Sequence, residues 1–264
     1  IFKVAALRKQ IFTYIFTIVV SLTAISMSYA QTEKEAYLAI IIDDFGYDGE
    51  GTKEMLALDI PLTVAIMPFS ECTEKNCKEV FDAGMEAIIH LPMESKTGKR
   101  SWVGTKGVFT DMTADEIKQV TEDAFAAVNT AVGVNNHMGS AIMENREKLE
   151  AVMDVVAEKN AVFIDSLTTG KSTGKAVAEE KGVSFLERTM FIDCPGNTEQ
   201  VVKNIISSAE IAKKNGYAVA IGHVGPAGGI TTAEAIKRAV PEIEKMDVKL
   251  VTVSELNEYV NGQQ

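Results

Sequence analysis

Three histidines and a pair of adjacent aspartates are the residues of this sequence that could most readily do chemistry. His90, His137 and His223 are its three histidines in 264 residues, and Asp43-Asp44 precede Phe45-Gly46. Taken singly, a histidine is more often a satisfied core or loop residue, and aspartates shortly before a glycine more often form a turn. Taken together, two carboxylates and three imidazoles can supply a metal site as well as an acid and a base.

Each of these residues ends or closely follows an apolar run that predicts a β-strand. Near-continuous apolar runs are typical of parallel strands that are buried on both faces. The predicted strands cover residues 37–43, 62–67, 86–90, 132–134, 161–165, 183–187, 217–223 and 248–253. In parallel α/β folds the active site forms at the carboxyl ends of the strands, so the histidines and aspartates are expected to meet there.

Helical patterns alternate with these runs and carry start signals. The segments Thr113-x-x-Glu116, Asn197-x-x-Gln200 and Thr231-x-x-Glu234 have the form of a capping box or a close relative of it. Seven or eight strands that alternate with helices predict one α/β domain over residues 37–260. The predicted fold is a distorted (β/α) barrel of about seven parallel strands, which need not be complete.

The first thirty residues have the pattern of an export signal. Lys3, Arg8 and Lys9 are followed by the apolar stretch 11–26 and by Ser28-Tyr29-Ala30. This order predicts a signal peptide over 1–30, cleaved before Gln31, and a polar linker over 31–36. The alternative is an uncleaved membrane anchor, because the stretch approaches the roughly 20 residues that a spanning helix needs. Either reading places the domain in the periplasm, the cell envelope or the extracellular space.

The composition excludes one class of partner. The chain is 46% hydrophobic and 24% charged, which is enough for a sizeable core, and its formal net charge is −11. A basic footprint for nucleic acid or anionic lipid is absent from this sequence. Membrane contact is therefore expected through the N-terminal segment alone, if that segment stays uncleaved.

The three cysteines have no C-x-x-C spacing that would indicate a structural zinc site. An oxidising exterior permits a disulfide between Cys72 and Cys77. If Thr73 caps the following helix, the two cysteines occupy the N′ and N4 positions, which touch in a hydrophobic staple. Cys194 is expected to be buried and inert.

Six segments together resemble the divergent polysaccharide deacetylase family, a distant relative of the metal-dependent carbohydrate esterases with the chitooligosaccharide-deacetylase-like barrel. The resemblance extends over about residues 37–258. The segments are IIIDDFG (40–46), HLPME (90–94), GVNNHMGS (133–140), DSLT (165–168), R-x-x-FID (188–193) and AIGH (220–223).

The resemblance implies roles for the aspartates and one histidine. In the related esterases the first Asp of a T-F-D-D-G motif is the general base and the second binds the metal. Asp43 and Asp44 match that pair. The general acid of the esterases, a histidine near the C-terminus, corresponds to His223.

The resemblance also implies a ligand set that departs from the related esterases. Their second motif, H-x-x-x-H, supplies two metal ligands, whereas here the segment begins at His90 and ends at Glu94. His137 is our candidate for the missing ligand, with Glu94 as the weaker option. An Asp-His-His set accepts a divalent metal, zinc first, with cobalt, nickel or manganese as alternatives.

Further polar residues are candidates for support or substrate binding: Glu94, Asn136, Ser140, Asp165 and Arg188. Arg188 could orient Asp43 or hold it ionised. An ion pair of Arg188 with Asp193 or Glu187 is an equally good interpretation.

These features predict an exported metal-dependent hydrolase that removes acetyl or similar acyl groups from an amino-sugar polysaccharide or oligosaccharide. The first alternative is a catalytically silent envelope protein that binds glycans or serves as a scaffold, which the missing second histidine favours. The second is a phosphodiesterase on a related barrel. That chemistry usually uses a basic clamp on the phosphate, and no basic cluster stands near the predicted strand ends beyond Arg188.

The adjacent aspartates set a condition on the backbone. Side chains alternate along a strand, so Asp43 and Asp44 can face the same way only if the strand bends there. We expect such a bend over residues 43–46, with Gly46 relieving it.

Overall fold

One sheet of nine strands organises residues 35–104 and 106–262, the part of the chain that the computed structural model describes. The strand order is β6-β5-β4-β3-β2-β1-β8-β7, while β9 pairs with the first half of β1, and every pairing is parallel. The strands are β1 Ala36–Phe45, β2 Thr63–Ile66, β3 Glu86–Met93, β4 Gly133–Met138, β5 Val162–Asp165, β6 Phe185–Glu187, β7 Met190–Phe191, β8 Tyr217–His223 and β9 Val248–Val251.

The distorted α/β barrel that the sequence predicts is confirmed. All eight predicted strands are present. The ninth, β7, was not predicted because a strand of two residues is too short to show a hydrophobic pattern. The sheet closes only through the segment 185–191, whose first half pairs with β5 and whose second half pairs with β8. The barrel is therefore incomplete in the sense that no single strand bridges its two edges along its full length.

Nine helices accompany the strands among the described residues. Capping at Thr113 and Asn197 occurs as predicted, whereas the start predicted at Thr231 is wrong. That helix begins at Gly229 without a side-chain cap, so Thr231 lies inside its first turn, and the neighbouring Thr232 hydroxyl donates to Asp193. The helices are α1 Thr52–Leu56, α2 Thr73–Asp82, α3 Ala114–Ala127, α4 Ser140–Met143, α5 Arg146–Glu158, α6 Gly174–Lys181, α7 Thr198–Asn215, α8 Gly229–Lys245 and α9 Val253–Asn261.

The alternation of side chains along the strands divides the core in two. Outward rows such as Ile40 and Ile42 pack against the helices, and inward rows such as Ala39 and Ile41 form a separate apolar cluster inside the barrel. Val253 and Leu256 of α9 belong to the inner cluster and pack inside the barrel at the amino ends of the strands. The opposite end, where the strands finish, is left for polar residues.

Glu86 at the start of β3 fixes the position of α9. Its Oε1 accepts from the Thr63 hydroxyl at 2.8 Å and from the backbone N–H of Val253 at 2.9 Å, and its carboxylate also accepts from the N–H of Ser254. A carboxylate at the first turn of a helix satisfies donors that have no partner within the helix.

Replacing this carboxylate is expected to destabilise the fold. Glu86→Ala leaves the N–H of Ser254 without its acceptor, whereas that of Val253 keeps Thr63 Oγ1 at 3.0 Å, and should lower the free energy of unfolding by about 1–3 kcal/mol, measured by urea denaturation. Glu258→Ala removes an exposed acid from the same helix and should change it by less than about 0.5 kcal/mol. Equal stability of the two variants would refute the anchoring role of Glu86.

The expected disulfide is not formed. All three cysteines, which lie in the described part of the chain, are free thiols. Cys72 itself is the N-cap of α2 and Cys77 is at N5, so each cysteine lies one position beyond the N′ and N4 pair that meets in a hydrophobic staple. The Cys77 thiol is directed to the carbonyl of Ala127 at 3.9 Å, and Cys194 is half-buried against the outer core rather than fully buried.

The predicted signal peptide, 1–30, and residues 31–34 of the expected linker lie outside the described residues. Among the helices of the described part, none combines the length and the apolar character that crossing a membrane requires.

Candidate metal centre and active site

At the carboxyl ends of the strands the inward-facing rows change from apolar to polar. The last apolar residues of three such rows are Ile41, Ile88 and Ile221, all in the inner cluster. Two residues further along the same strands stand Asp43, His90 and His223. Since Asp43 pairs in register with His223, and His90 with Asn135 on β4, these polar groups form one layer across neighbouring strands.

A backbone bend brings Asp44 to the same side. Its φ is 68°, the pairing register between β1 and β2 shifts between Ile42 and Phe45, and Gly46 follows with a φ of 119°. Aspartate tolerates this left-handed conformation better than most residues, although at a cost. The bend expected over residues 43–46 is thus present.

Asp44, His90 and His137 converge on one point. Asp44 Oδ1 lies 3.4 Å from His90 Nε2 and 3.3 Å from His137 Nδ1, and the two ring nitrogens are 3.0 Å apart. Ligands bound at about 2.0–2.1 Å in tetrahedral geometry lie roughly 3.3 Å from one another. The donor set and its spacing therefore fit a divalent metal with Asp44, His90 and His137 as ligands.

The charges of this cluster support one another. Burial raises the pKa of Asp44, but hydrogen bonds with His137 and His90 outweigh it and hold that pKa well below its usual range. Burial lowers the pKa of His90, yet the charge of Asp43 and the contacts with Asp44 more than compensate and raise it. The cluster therefore stabilises the Asp44 carboxylate and positive charge beside it.

Asp43 lies between the cluster and His223. Its side chain is buried, with Oδ1 accepting from Asn135 Nδ2 at 2.8 Å. Oδ2 faces His90 Nε2 at 3.7 Å on one side and His223 Nε2 at 3.9 Å on the other. This oxygen is thus placed to exchange protons with a molecule bound between the cluster and His223.

His223 is held by Asp193, which sequence reasoning missed as a site residue. The Asp193 carboxylate accepts from the His223 ring at 2.6 Å, from its backbone N–H at 3.2 Å and from the Thr232 hydroxyl at 2.6 Å. Burial lowers the pKa of His223, but the hydrogen bond with Asp193 and the charges of Asp43 and Asp44 outweigh it and raise it to about 9. His223 therefore carries a proton at neutral pH.

Removing the Asp193 charge should make His223 a weaker base. Opposite charges within about 4–6 Å raise a histidine pKa by roughly 1–3 pH units. We therefore expect Asp193→Asn to lower the pKa of His223 by at least about one pH unit. The pKa is measured by ring-proton NMR of the metal-free protein. Asp247→Asn, at the opposite end of the barrel before β9, is the matched control. An unchanged titration in Asp193→Asn would show that the contact does not govern the charge of His223.

The hydrogen bonds of three predicted support residues hold the surrounding loops. Glu94 Oε2 accepts from the N–H and hydroxyl of Thr110, both at 2.7 Å. Asn136 accepts from the N–H of Ser166, and Ser140 bonds to Ser95. β3 continues to Met93, so Glu94 follows His90 by four residues of extended strand. Four such residues span about 13 Å along the strand.

Asp165 and Arg188 also act on the loops. Asp165 accepts from the Ser172 hydroxyl and the N–H of Leu167, and burial raises its pKa. Arg188 donates to the carbonyls of Ser166 and Leu167 and stacks on Phe191 at 3.8 Å. Burial lowers the pKa of Arg188 and the charges of Asp165 and Asp43 oppose this, but its hydrogen bonds go neither to Asp43 nor to an acidic neighbour. Phe191 in turn packs against the His223 ring at 5.5 Å, so Arg188 supports the site indirectly.

Asn135 is the second residue that sequence reasoning missed. Its amide bonds to Asp43 and, at 2.7 Å, to His90 Nδ1, and its side chain is fully buried. The signal that could have found it is the alternation along β4, in which Gly133, Asn135 and His137 share the inward face. The strand was predicted to end at residue 134, which hid that pattern.

The fold is the polysaccharide-deacetylase-like barrel, as solved structures show. An uncharacterized protein from Agrobacterium tumefaciens C58 superposes with a TM-score of 0.77 at 17% identity, covering 84% of this chain and 89% of that one. A Mycobacterium smegmatis protein assigned as a polysaccharide deacetylase gives 0.59 at 13% identity, covering 88% and 92%. A peptidoglycan N-acetylglucosamine deacetylase gives 0.55 at 14% identity, covering 84% and 88%.

The chain belongs to the divergent polysaccharide deacetylase family, whose model matches residues 40–257. It is 32% identical over 219 residues to the uncharacterized protein YibQ of Escherichia coli, covering 83% of this chain and 66% of YibQ. It is also 32% identical over 231 residues to an uncharacterized protein of Haemophilus influenzae, covering 88% and 79%. The chain thus spans just under two thirds of the length of YibQ.

Proposed function

We propose that this chain is an exported, metal-dependent hydrolase that removes acetyl or similar acyl groups from an amino-sugar polysaccharide. The observation that carries the proposal is the layer at the strand ends, where a three-ligand cluster, a buried carboxylate and a protonated imidazole face one space. A scaffold or binding protein would have no need for a carboxylate, Asp43, that lies within 4 Å of a proposed ligand on one side and of His223 on the other.

The ligands in this proposal are Asp44, His90 and His137, whose donor atoms lie 3.0–3.4 Å apart. A divalent metal bound there, zinc before cobalt, nickel or manganese, would supply a Lewis acid for the acyl carbonyl and for water.

The chain's own residues would move the protons. Asp43 Oδ2 accepts a proton from the water that attacks the acyl carbon, because it is buried and faces the cluster. His223 gives its proton to the departing amine, and its hydrogen bond with Asp193 favours the protonated ring. Asp193 keeps the His223 ring oriented with Nε2 towards Asp43.

Different observations support the proposed substrate and the proposed location. Family membership and the peptidoglycan N-acetylglucosamine deacetylase with the same fold support an acylated amino-sugar polymer as the substrate. The pattern of residues 1–30 supports export, and a cell-envelope glycan would be encountered there.

Acetate release tests the proposal. The zinc-loaded protein is incubated with N-acetylglucosamine oligomers and with peptidoglycan sacculi, before and after chelation. We expect acetate from at least one of them, its loss on chelation and its return with added zinc. His223→Ala should keep the metal and lose about 10²–10⁴-fold in rate. A zinc-loaded protein that releases acetate from neither polymer would favour the silent envelope protein.

A further inference from the structure

We propose that Asn135 is a positioning residue that sets the ring tautomer of His90 with one end of its amide and the orientation of Asp43 with the other. The inference rests on the proposed function, because it assigns a purpose to a contact between a proposed ligand and a proposed base.

The geometry joins the two groups through one side chain. Asn135 Oδ1 lies 2.7 Å from His90 Nδ1, and Asn135 Nδ2 lies 2.8 Å from Asp43 Oδ1. Asn135 is completely buried and pairs in register with His90 across β3 and β4. Neither hydrogen bond can be exchanged for one with solvent, so each constrains its partner.

The donors and acceptors of Asn135, His90 and Asp43 determine the direction of both hydrogen bonds. Asp43 Oδ1 accepts the hydrogen bond from Asn135, since a carboxylate oxygen has no hydrogen to donate. The atom of Asn135 that faces it must therefore be the NH₂ group, which leaves the amide oxygen facing His90. Since that oxygen can only accept, His90 Nδ1 must carry the hydrogen.

This tautomer is the one that a metal ligand needs. With the hydrogen on Nδ1, the lone pair of His90 is on Nε2, which faces Asp44 Oδ1 at 3.4 Å and His137 Nδ1 at 3.0 Å. Partners of this kind orient a ligating imidazole and raise its basicity. The tautomer is thus set by an amide whose own orientation is set by Asp43.

The other end of the amide selects an oxygen of the base. By holding Asp43 Oδ1, Asn135 leaves Oδ2 free to face His90 and His223 at 3.7 and 3.9 Å. The neighbouring Asn136 cannot substitute for it, because adjacent strand residues face opposite sides, and its amide nitrogen donates to the carbonyl of Met138.

The two ends of the amide can be separated by substitution. Asn135→Asp keeps an oxygen for His90 Nδ1 but replaces the donor to Asp43 with a second carboxylate. We expect its zinc affinity to stay within about threefold of wild type, since the partner of the ligand is retained. Its kcat should fall by about 10²–10⁴-fold, because the base is displaced.

Asn135→Leu removes both ends at similar volume. Its zinc affinity, measured by competition with a chromophoric chelator, should fall by about 10–100-fold, as is usual for loss of such a partner. Thr121→Val is the matched control. It also replaces a buried polar side chain with an isosteric apolar one, but its hydroxyl bonds to Ile117 within α3, so zinc affinity should be unchanged.

A measurement on the metal-free wild type tests the tautomer without any variant. Nitrogen NMR of the imidazoles, at a pH at which the His90 ring is neutral, should show the hydrogen on Nδ1. The opposite tautomer, or an Asn135→Leu protein that binds zinc as tightly as wild type, overturns the inference. Failure of the proposed function differs from both, because the wild type itself would then bind no zinc or release no acetate.

Discussion

Asp43→Asn should lower the rate of acetate release by about 10²–10⁴-fold, the usual contribution of a general base. The amide has nearly the same shape as the carboxylate but cannot take up the proton of the attacking water. The protein should keep its zinc, because Asp44 rather than Asp43 lies in the three-ligand cluster. The measurements are kcat on the acetylated polymer and zinc content per chain.

Two other outcomes for Asp43→Asn would change the assignment. Loss of zinc would show that the roles of the two aspartates are exchanged, and full activity would show that Asp43 is no base. Asp59→Asn makes the same chemical change at an exposed position just before β2, at the opposite end of the barrel, and should leave both quantities unchanged.

His137→Ala is expected to have the largest effect on metal binding. Loss of a mere supporting partner of a ligand costs about 10–100-fold in affinity, so loss of a ligand should cost at least about 100-fold. The free energy of unfolding of the metal-free protein should change little, since the His137 side chain is 22% exposed and lies at the end of its strand. Equilibrium dialysis against zinc and urea denaturation measure the two quantities.

Glu94→Ala is the informative comparison for His137. Glu94 holds Thr110 in the loop after β3, so its replacement should lower stability and leave zinc affinity intact. The reverse pattern, with zinc lost in Glu94→Ala and kept in His137→Ala, would mean that the ligands follow the H-x-x-x-H spacing after all.

The strands were predictable because each is an apolar run between clear breaks, and strand ends of a parallel sheet must share one face. That rule was sufficient to group Asp43, His90, His137 and His223. The bend at Asp44 was also predictable, because two adjacent aspartates cannot face one side of a regular strand.

What could not be predicted depended on where strands end. β4 runs to Met138, four residues beyond its predicted end, so the inward residue is Asn135 and not Asn136. β3 likewise continues past His90, which removes Glu94 from reach. Asp193 follows a strand of two residues, too short for any period to reveal, and its contact with His223 joins residues 30 positions apart.

If the strand ends hold a divalent metal, anomalous diffraction from crystals grown with zinc will locate it there. Data collected on the two sides of the zinc absorption edge locate the ion without reference to any assumed ligand. We expect one strong peak about 2.0–2.2 Å from Asp44 Oδ1, His90 Nε2 and His137 Nδ1. A peak held by His90 and Glu94, or crystals at full zinc occupancy elsewhere with none at this cluster, would contradict it.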